Sequence, residues 1–196
     1  MTAAAAALLR HIAHDFEATT SRHAVTGEDA SEDYWRGGND SIAWVIARLR
    51  GQAEGLAAEA EQRERLRQLA THASTGEWCA RGTANGPKLY TADGTRLGEL
   101  TDPAVARYVI AAQPATVLRL LAACDDPAAP TGPIDELEEA AHAAASTPWS
   151  HVGVVLQAGS RDLGWLHFSH DMDFVVAADP RVLIRIIRGL RDARGA

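Results

Sequence analysis

Two stretches near the start of the chain carry apolar residues at helical spacing. The first, Thr2–Ala18, predicts an amphipathic helix, and the polar residues 19–31 after it predict a loop. The second, Ile42–Leu69, predicts a long helix whose middle is weakened by Gly51 and Gly55. This pattern leaves two interpretations, a bent helix or two helices that meet near the glycines. Polar residues at heptad core positions favour packing against the rest of the chain over a dimeric coiled coil.

Three short runs that follow are typical of strands. Trp78–Arg81 predicts one strand, and Lys88–Ala92 and Thr95–Leu100 predict two more. Asp93-Gly94 separates the last two runs. Such a pair favours a two-residue hairpin turn, because both central residues of that turn need a positive φ. A small antiparallel sheet is therefore expected.

Two short helices are predicted after this sheet. Asp102 and Pro103 suit the N-cap and the first helical position of the first helix. Pro114 ends it, because the residue before a proline is pushed out of the α region, and a second helix follows at Ala115–Ala123. The Pro-rich residues 125–133 are typical of a linker.

The same order of elements returns in the last third of the chain. A helix is predicted at Ile134–Ala145, followed by strands at Val152–Leu156 and Leu163–Phe168 on either side of a turn at Gly159-Ser160. A further helix is predicted from about Ser169, and Pro180 separates it from a last helix at Arg181–Arg191. Leu89–Cys124 aligns without gaps to Val155–Leu190 at an offset of 66 residues. The alignment has nine identities in 36 pairs, where composition alone gives about three. The chain therefore contains one αβ module twice.

Glycines and prolines shared by the two copies shape the backbone. Gly98 and Gly164 indicate a close backbone approach or a bulge in the second strand. Asp179 can cap the last helix of its copy, whereas Gln113 caps poorly, so the first copy is expected to have the more frayed corner. Since a sheet of two or three strands is marginal alone, we expect the two sheets to join or the modules to pack as a pseudo-twofold pair.

These patterns predict an α+β protein with an N-terminal helical region followed by two tandem ββαα-type modules with small antiparallel sheets. The predicted boundaries are 1–52 for the N-terminal helical region, 53–124 for the first αββαα module, 125–133 for the linker and 134–196 for the second αββαα module.

A Trp, a Leu-Gly strand and a helix corner at a proline recur in both copies. The residues of this motif are Asp171, Phe174, Val175, Ala177 and Pro180 in the second copy and Ala106, Tyr108, Val109, Ala111 and Pro114 in the first. The motif resembles the Ead-like family of phage accessory proteins, whose units carry a segment similar to Asp-Ala-x-Phe-Ile-Ala-Ala-x-x-Pro. Met172, Val176 and Ile110 depart from this pattern, and Val105 replaces its aspartate.

The resemblance covers about residues 78–121 and 149–190, and Tyr34-Trp35-Arg36-Gly37 is also similar to segments of small phage proteins. It implies a phage or prophage accessory protein that acts in the host cytoplasm. It transfers no functional residues, because the family carries no settled activity.

Composition and charge narrow the functional classes. The 196 residues are 46% apolar and 23% charged, which is typical of a globular protein. A net charge of −7 makes nucleic acid a poor partner, because phosphate binding needs clustered Lys and Arg. No run approaches the ~18 apolar residues of a membrane span. With only Cys79 and Cys124, a disulfide framework is not expected, and a reducing cytoplasm is the simplest setting.

Two His-x-x-His pairs are candidate metal ligands. His11 and His14 precede Asp15, and His167 and His170 precede Asp171 and Asp173. The favoured alternative for the second pair is a solvated corner between strand and helix, where Asp171 stabilises the helix N-terminus. We therefore expect neither a metal nor a cofactor.

The candidate binding residues lie in the second copy and are Trp165, His167, His170, Asp171, Arg181 and Arg185. Trp165 replaces Glu99 of the first copy and is a contact candidate wherever it is exposed. Arg181 and Arg185 belong to a basic stripe on the last helix, for which a solvated face is the favoured alternative. A functional site should lie in what the second copy does not share with the first.

We hypothesise a non-enzymatic phage or prophage accessory protein that binds and modulates a host protein, with counter-defence as one such role. The alternative is a binder or sponge for a small ligand or nucleotide signal, using the cleft between the modules. A third hypothesis is a hydrolase or metal enzyme at His167 and His170. A host protein is the expected partner, a homodimer stays open, and neither nucleic acid nor a membrane is expected.

Overall fold

The computed structural model of the chain describes residues 3–23, 32–83, 86–126, 128–130, 133–144 and 147–195. Its helices are α1 (Ala3–His23), α2 (Glu32–His72), α3 (Pro103–Ala111), α4 (Pro114–Asp125), α5 (Ile134–Ala144), α6 (Ser169–Ala177) and α7 (Pro180–Gly195). Its strands are β1 (Trp78–Thr83), β2 (Gly86–Thr91), β3 (Arg96–Leu100), β4 (Trp149–Val152), β5 (Val155–Ala158) and β6 (Arg161–Leu166). The α+β class is confirmed, and the chain forms two compact units, Met1–Gln62 and Arg63–Ala196.

Two helices form the first unit. Buried alanines lie in both of them, at Ala6 and Ala13 in α1 and at Ala53 in α2. The guanidinium of Arg50 on α2 donates to the carboxylate of Glu17 on α1 over 2.5 Å. Small buried residues and this ion pair hold the two helices together.

Helix α1 runs past the predicted helix end, so the loop prediction for residues 19–31 is wrong as far as His23. Polar side chains continue this helix because they are satisfied locally. The hydroxyl of Thr19 donates to the carbonyl of Asp15, one turn back, over 2.8 Å. Residues 24–31 of the predicted loop lie outside the described residues.

Helix α2 is one helix, and the interpretation as two separate helices is wrong. Gly51 and Gly55 lie within it, and a Cβ added at either one would meet nothing within 4 Å. The last turns carry Leu66 and Ala70 into the core of the second unit, as packing against the repeats requires. Tyr34-Trp35-Arg36-Gly37 lies within α2, and the side chains of this stretch are outside what the structure describes.

A six-stranded antiparallel sheet forms the centre of the second unit, with the strand order β1-β2-β3-β6-β5-β4. Each copy of the repeat contributes three consecutive strands, and the two sets meet where β3 pairs with β6. The prediction that the two small sheets join is therefore confirmed.

The β2–β3 hairpin is confirmed, but its turn differs from the predicted two-residue type. Only Gly94 has a positive φ, of 91°, and Asp93 does not. The amide of Gly94 donates to the carbonyl of Thr91, and the carboxylate of Asp93 accepts from the amide of Thr95 at 3.0 Å. This carboxylate caps the turn locally, so Asp93 does not need the left-handed conformation. Hydrogen bonds from Thr91 and Thr95 also lower the pKa of the Asp93 carboxyl.

The predicted strand Val152–Leu156 is wrong, because two strands meet within it. Strand β4 ends at Val152 and β5 begins at Val155. Gly153 between them adopts a φ of 58°, which reverses the chain and which L residues rarely adopt. The apolar run is continuous across this turn, so its hydrophobicity conceals the reversal.

Strands β3 and β6 pair with a pseudo-twofold relation. Gly98 lies opposite Leu166, and Leu100 lies opposite Gly164. The offset of 66 residues exchanges these two pairs, and it maps the central pair, Glu99 and Trp165, onto itself. The flanking hydrogen bonds obey the same symmetry. They run from the Thr101 amide to the Leu163 carbonyl at 2.9 Å and from the His167 amide to the Leu97 carbonyl at 2.7 Å.

The glycines at this junction allow the two backbones to approach closely. A Cβ on Gly98 would overlap the Trp165 carbonyl, and a Cβ on Gly164 would overlap the Glu99 carbonyl. Gly164 also has a φ of 142°. Register shifts beside the glycines leave Leu97 and Leu163 as extra residues in their strands. Both alternatives predicted for these glycines, close approach and a bulge, are confirmed.

Aromatic side chains from each copy pack against the other copy. Phe174 on α6 meets Trp78 of the first copy edge to face, with ring centroids 5.9 Å apart. Tyr108 on α3 meets Trp149 of the second copy in the same way at 5.3 Å. The hydroxyl of Tyr108 also donates to the carbonyl of Ala178, and burial raises its pKa well above the usual value. The two copies therefore share one core.

The helix corners differ between the copies as expected. The carboxylate of Asp179 accepts from the Arg181 amide at 2.9 Å and caps α7, whereas Gln113 makes no side-chain cap on α4. Both side chains have a second role in common. Gln113 accepts from the Trp78 amide at 2.9 Å, and Asp179 accepts from the Trp149 amide at 2.7 Å. Each corner therefore holds the first strand of its own copy.

The close approach at the junction predicts the effect of adding one methyl group. Gly98→Ala or Gly164→Ala should each lower the free energy of unfolding by about 1–3 kcal/mol, because the new Cβ meets backbone that cannot rotate away. Urea unfolding followed by tryptophan fluorescence measures this change.

Gly189→Ala is the matched control. Gly189 lies within α7, where an added Cβ would meet nothing within 4 Å, so the substitution should raise stability by up to about 1 kcal/mol. Equal stabilities for the Gly98→Ala, Gly164→Ala and unmodified proteins would contradict the junction described above.

Candidate interaction surface

The two faces of the sheet differ in their cover. On one face Leu89, Leu100, Leu156 and Leu166 are buried in the core with the helices. On the opposite face one row of directly paired residues crosses all six strands, and we call this face the outer face. Its row is Arg81, Lys88, Glu99, Trp165, Val155 and Val152. These residues are half-buried or exposed, so their side chains are available to a partner.

Two cation–π pairs lie on the outer face. The guanidinium of Arg96 sits over the Trp165 ring, 4.9 Å from its centroid, and that of Arg81 sits over the Tyr90 ring at the same distance. Arg96 also donates to Glu99 over 2.8 Å. Trp165, the predicted contact residue, is therefore half-buried and held by residues of the first copy. This arrangement fixes the ring position before any partner arrives.

Exposed large hydrophobic residues lie at one end of the sheet. In the described part of the second unit these residues are Val152, Val154 and Phe168, which are 69%, 53% and 37% exposed. The amide of Leu166 donates to the carbonyl of Val154 over 3.0 Å, which brings the β4–β5 turn next to the end of β6. We call this region the second-copy end and define it by His151, Val152, Val154, His167, Phe168 and His170.

The first copy has different residues at the matching positions. The pseudo-twofold relation of the paired row puts Arg81 where the second copy has Val152, and Asp102 aligns with Phe168 at the offset of 66 residues. Asp102 accepts from the Ala104 amide at 2.8 Å and caps α3, whereas Phe168 occupies the N-cap position of α6 without a side-chain hydrogen bond. The second copy thus exposes an apolar ring at a position that usually carries a polar cap. The helix start contributes surface instead of local stability.

Histidines surround these apolar side chains. His167 meets Trp165 edge to face at 4.6 Å, and His170 stacks on Phe168 at 5.4 Å. The imidazole of His151 lies 3.3 Å from the carboxylate of Asp173 on α6. The two histidines that the sequence offers as candidate metal ligands, His167 and His170, lie on either side of Phe168, with ring centroids 6.3 Å and 5.4 Å from its own.

Asp171 has a different role from the two histidines. Its carboxylate is fully buried and accepts from the Ser74 amide at 2.6 Å and from the Ser74 hydroxyl at 2.7 Å. His170 Nε2 lies 3.3 Å from that hydroxyl and 3.6 Å from the carboxylate. The interpretation of Asp171 as part of a solvated corner is wrong, because this residue joins α6 to the segment that follows α2. Val105, its counterpart, is buried in the first copy and offers no such acceptor.

Arg181 and Arg185 lie apart from the second-copy end in their described contacts. Arg181 pairs with Asp179 at the start of α7, with Nε 3.1 Å from the carboxylate. Arg185 is exposed one turn later on the same helix. The six predicted site residues therefore divide into the outer face, the second-copy end, a buried carboxylate and the surface of α7.

Metal ligands and cysteine thiols are the described side chains on which reactive chemistry would depend. Among them, no three His, Cys, Asp or Glu side chains are grouped so that they could hold a metal ion. Cys79 and Cys124 are free thiols, and burial raises the pKa of Cys124. A raised pKa lowers the thiolate fraction and with it the nucleophilicity of that residue.

Val152, Val154 and Phe168 are not among the site residues predicted from the sequence. The repeat alignment carries a signal for Phe168 alone, because this residue replaces Asp102 of the first copy, whereas Val152 and Val154 lie before the aligned segment. The run of apolar residues around Gly153 instead predicted a strand with half of its side chains buried. The turn at Gly153 exposes Val152 and Val154 instead.

Comparison with known proteins identifies no relative of the chain. No protein-family model matches it, and no curated protein or solved structure is significantly similar to it. Among the described helices, none combines the length and the apolar character needed to cross a membrane.

The burial of Asp171 predicts a large cost for its removal. Asp171→Ala should lower the free energy of unfolding by about 3 kcal/mol, because the Ser74 amide and hydroxyl lose their shared acceptor. Asp173→Ala is the matched control on the same helix. Asp173 is half-exposed, so its loss should change stability by about 0.5 kcal/mol or less. Similar losses for both variants in urea unfolding would show that Asp171 has no special role.

Proposed function

We propose that the protein is a non-enzymatic accessory protein, encoded by a phage or prophage, that binds and modulates a host protein through the second-copy end. The observation that carries this proposal is the position of Val152, Val154 and Phe168, which concentrate exposed apolar area at one end of a rigid sheet. Contiguous exposed apolar surface with polar neighbours marks interaction sites on proteins.

The asymmetry of the repeat supports the same proposal. A scaffold role would be served equally by both copies, yet the first copy has Arg81 and Asp102 where the second copy exposes Val152 and Phe168. Aromatic residues and histidines around the patch offer both apolar contact and hydrogen bonds, as interface centres do. The motif resemblance adds the expectation of a phage origin and of action in the host cytoplasm.

The alternative of a small-ligand binder between the modules has less support. The two copies meet along paired strands, and Leu100, Leu166 and Tyr108 fill the space behind that seam. Arg181, a predicted contact for an anionic ligand, is already paired with Asp179. The second-copy end therefore remains the leading candidate.

Affinity capture from a host lysate tests this function. The double variant Val154→Glu with Phe168→Ser should capture its partner at least tenfold less than the unmodified protein, since it puts a charge and a hydroxyl in an apolar contact. Quantitative mass spectrometry of the bound proteins measures the difference. Both residues are exposed, so thermal unfolding should change little.

Leu8→Glu provides the matched control, because Leu8 is 58% exposed on α1, close to the exposure of Val154. It should leave capture unchanged. Recovery of no reproducible partner, or equal recovery with the double variant, would refute the proposed function.

A further inference from the structure

The outer face is divided into a cationic half and an apolar half. Strands β1 to β3 carry Arg81, Lys88 and Arg96 on this face, against a single carboxylate, Glu99, which is bound to Arg96. The whole chain has a net charge of −7, so this concentration of cations runs against the average charge of the protein. The charge of this half favours binding of acidic side chains from a partner.

The half formed by β4 to β6 is mostly apolar. Val152, Val155 and Trp165 follow one another along the paired row. The carboxylate of Asp162 also belongs to this half, and the side-chain amide of Gln157 donates to it over 2.8 Å. An apolar partner surface is favoured here, next to the acidic one.

The boundary between the two halves runs parallel to the strands, so a segment that contacts both halves crosses the strands. Six strands at a spacing of about 4.8 Å make a row about 24 Å long. An extended segment of about seven or eight residues spans that distance. A partner segment that fits this row therefore has its acidic residues in one block and its apolar residues in the adjacent block.

We propose, building on the proposed function, that the outer face binds an extended protein segment with one acidic block and one apolar block. The carboxylates lie over Arg81 and Lys88, and the apolar side chains lie over Val155 and Val152, beside the Trp165 ring that Arg96 covers. The row ends at Val152, which also belongs to the second-copy end, so the two surfaces form one continuous interface.

A single-stranded nucleic acid fits this face less well. Bases bind such sheets by stacking on open aromatic rings, whereas guanidinium groups already cover the Trp165 and Tyr90 rings. Phosphates along a whole strand would also place negative charge over Val152 and Val155, in the half that carries the carboxylate of Asp162. Protein segments, unlike nucleic acids, can change from acidic to apolar within a few residues.

The chain offers one chemical handle for the test. Lys88 is the only lysine in the sequence, and it lies in the cationic half of the row. A carbodiimide activates a carboxylate of the bound segment, the Lys88 amine attacks it, and an amide forms while the reagent leaves as a urea. The probe is an end-blocked nonapeptide with four glutamates, one glycine, and then valine, leucine, tyrosine and leucine. It is made in this order and in reverse.

At least one order of the block peptide should couple to Lys88 at least tenfold more than a peptide of the same composition in which glutamate alternates with apolar residues. Mass spectrometry of the digested product locates the coupled amine. Arg81→Glu and Val152→Glu should each reduce the affinity of that peptide about tenfold in fluorescence anisotropy. Arg81→Glu puts a negative charge against the acidic block, and Val152→Glu puts a charge in the apolar contact. Arg119→Glu on the exposed side of α4 and Leu8→Glu make matched changes elsewhere and should leave the affinity unchanged.

Three results would overturn the inference. The first is equal coupling of block and alternating peptides, or coupling mainly at the N-terminal amine. The second is unchanged affinity in both Arg81→Glu and Val152→Glu. The third is tight binding of a thymidine oligonucleotide that Arg81→Glu abolishes, which would assign the face to nucleic acid. If the lysate partner is lost with the Val154→Glu and Phe168→Ser variant but the block peptides fail, this inference alone is wrong and the proposed function stands.

Discussion

The pairing of β3 with β6 is the interaction on which the rest of the second unit depends. Two glycines, Gly98 and Gly164, let the backbones approach until no Cβ would fit between them. Hydrogen bonds and directly opposed residues follow the same pseudo-twofold relation on both sides. Once these strands pair, the small sheets become one, and the helices behind them must share a core. The exchange of Tyr108 and Phe174 between the copies is the consequence.

Because the two copies share one core, the residues they have in common and the residues in which they differ have different roles. The residues that the copies have in common build the junction, the bulges and the helix corners, so substitutions there are expected to destabilise the sheet. The outer face and the second-copy end are formed largely by residues in which the copies differ. Asp171 shows that a difference can also be buried, since it ties α6 to Ser74 where the first copy has only Val105.

Much of the scaffold could be predicted from the sequence, because glycine and proline restrict the backbone locally. The junction glycines, the Asp102 cap and the Pro114 and Pro180 corners were all predicted from residue type and position. The second-copy end could not be predicted in this way. A continuous apolar run gives no sign of the turn at Gly153, and the depth of Asp171 depends on Ser74, 97 residues away.

The symmetry of the junction has a meaning beyond the single chain. A surface that pairs with itself about a twofold axis is the interface of a homodimer, and the two copies here satisfy that relation within one polypeptide. In a true dimer, every substitution appears twice and both ends of the sheet stay identical. Covalent fusion removes that restriction, so Glu99 and Trp165 can face each other on the axis itself. The duplication thus lets a twofold scaffold carry a one-sided surface.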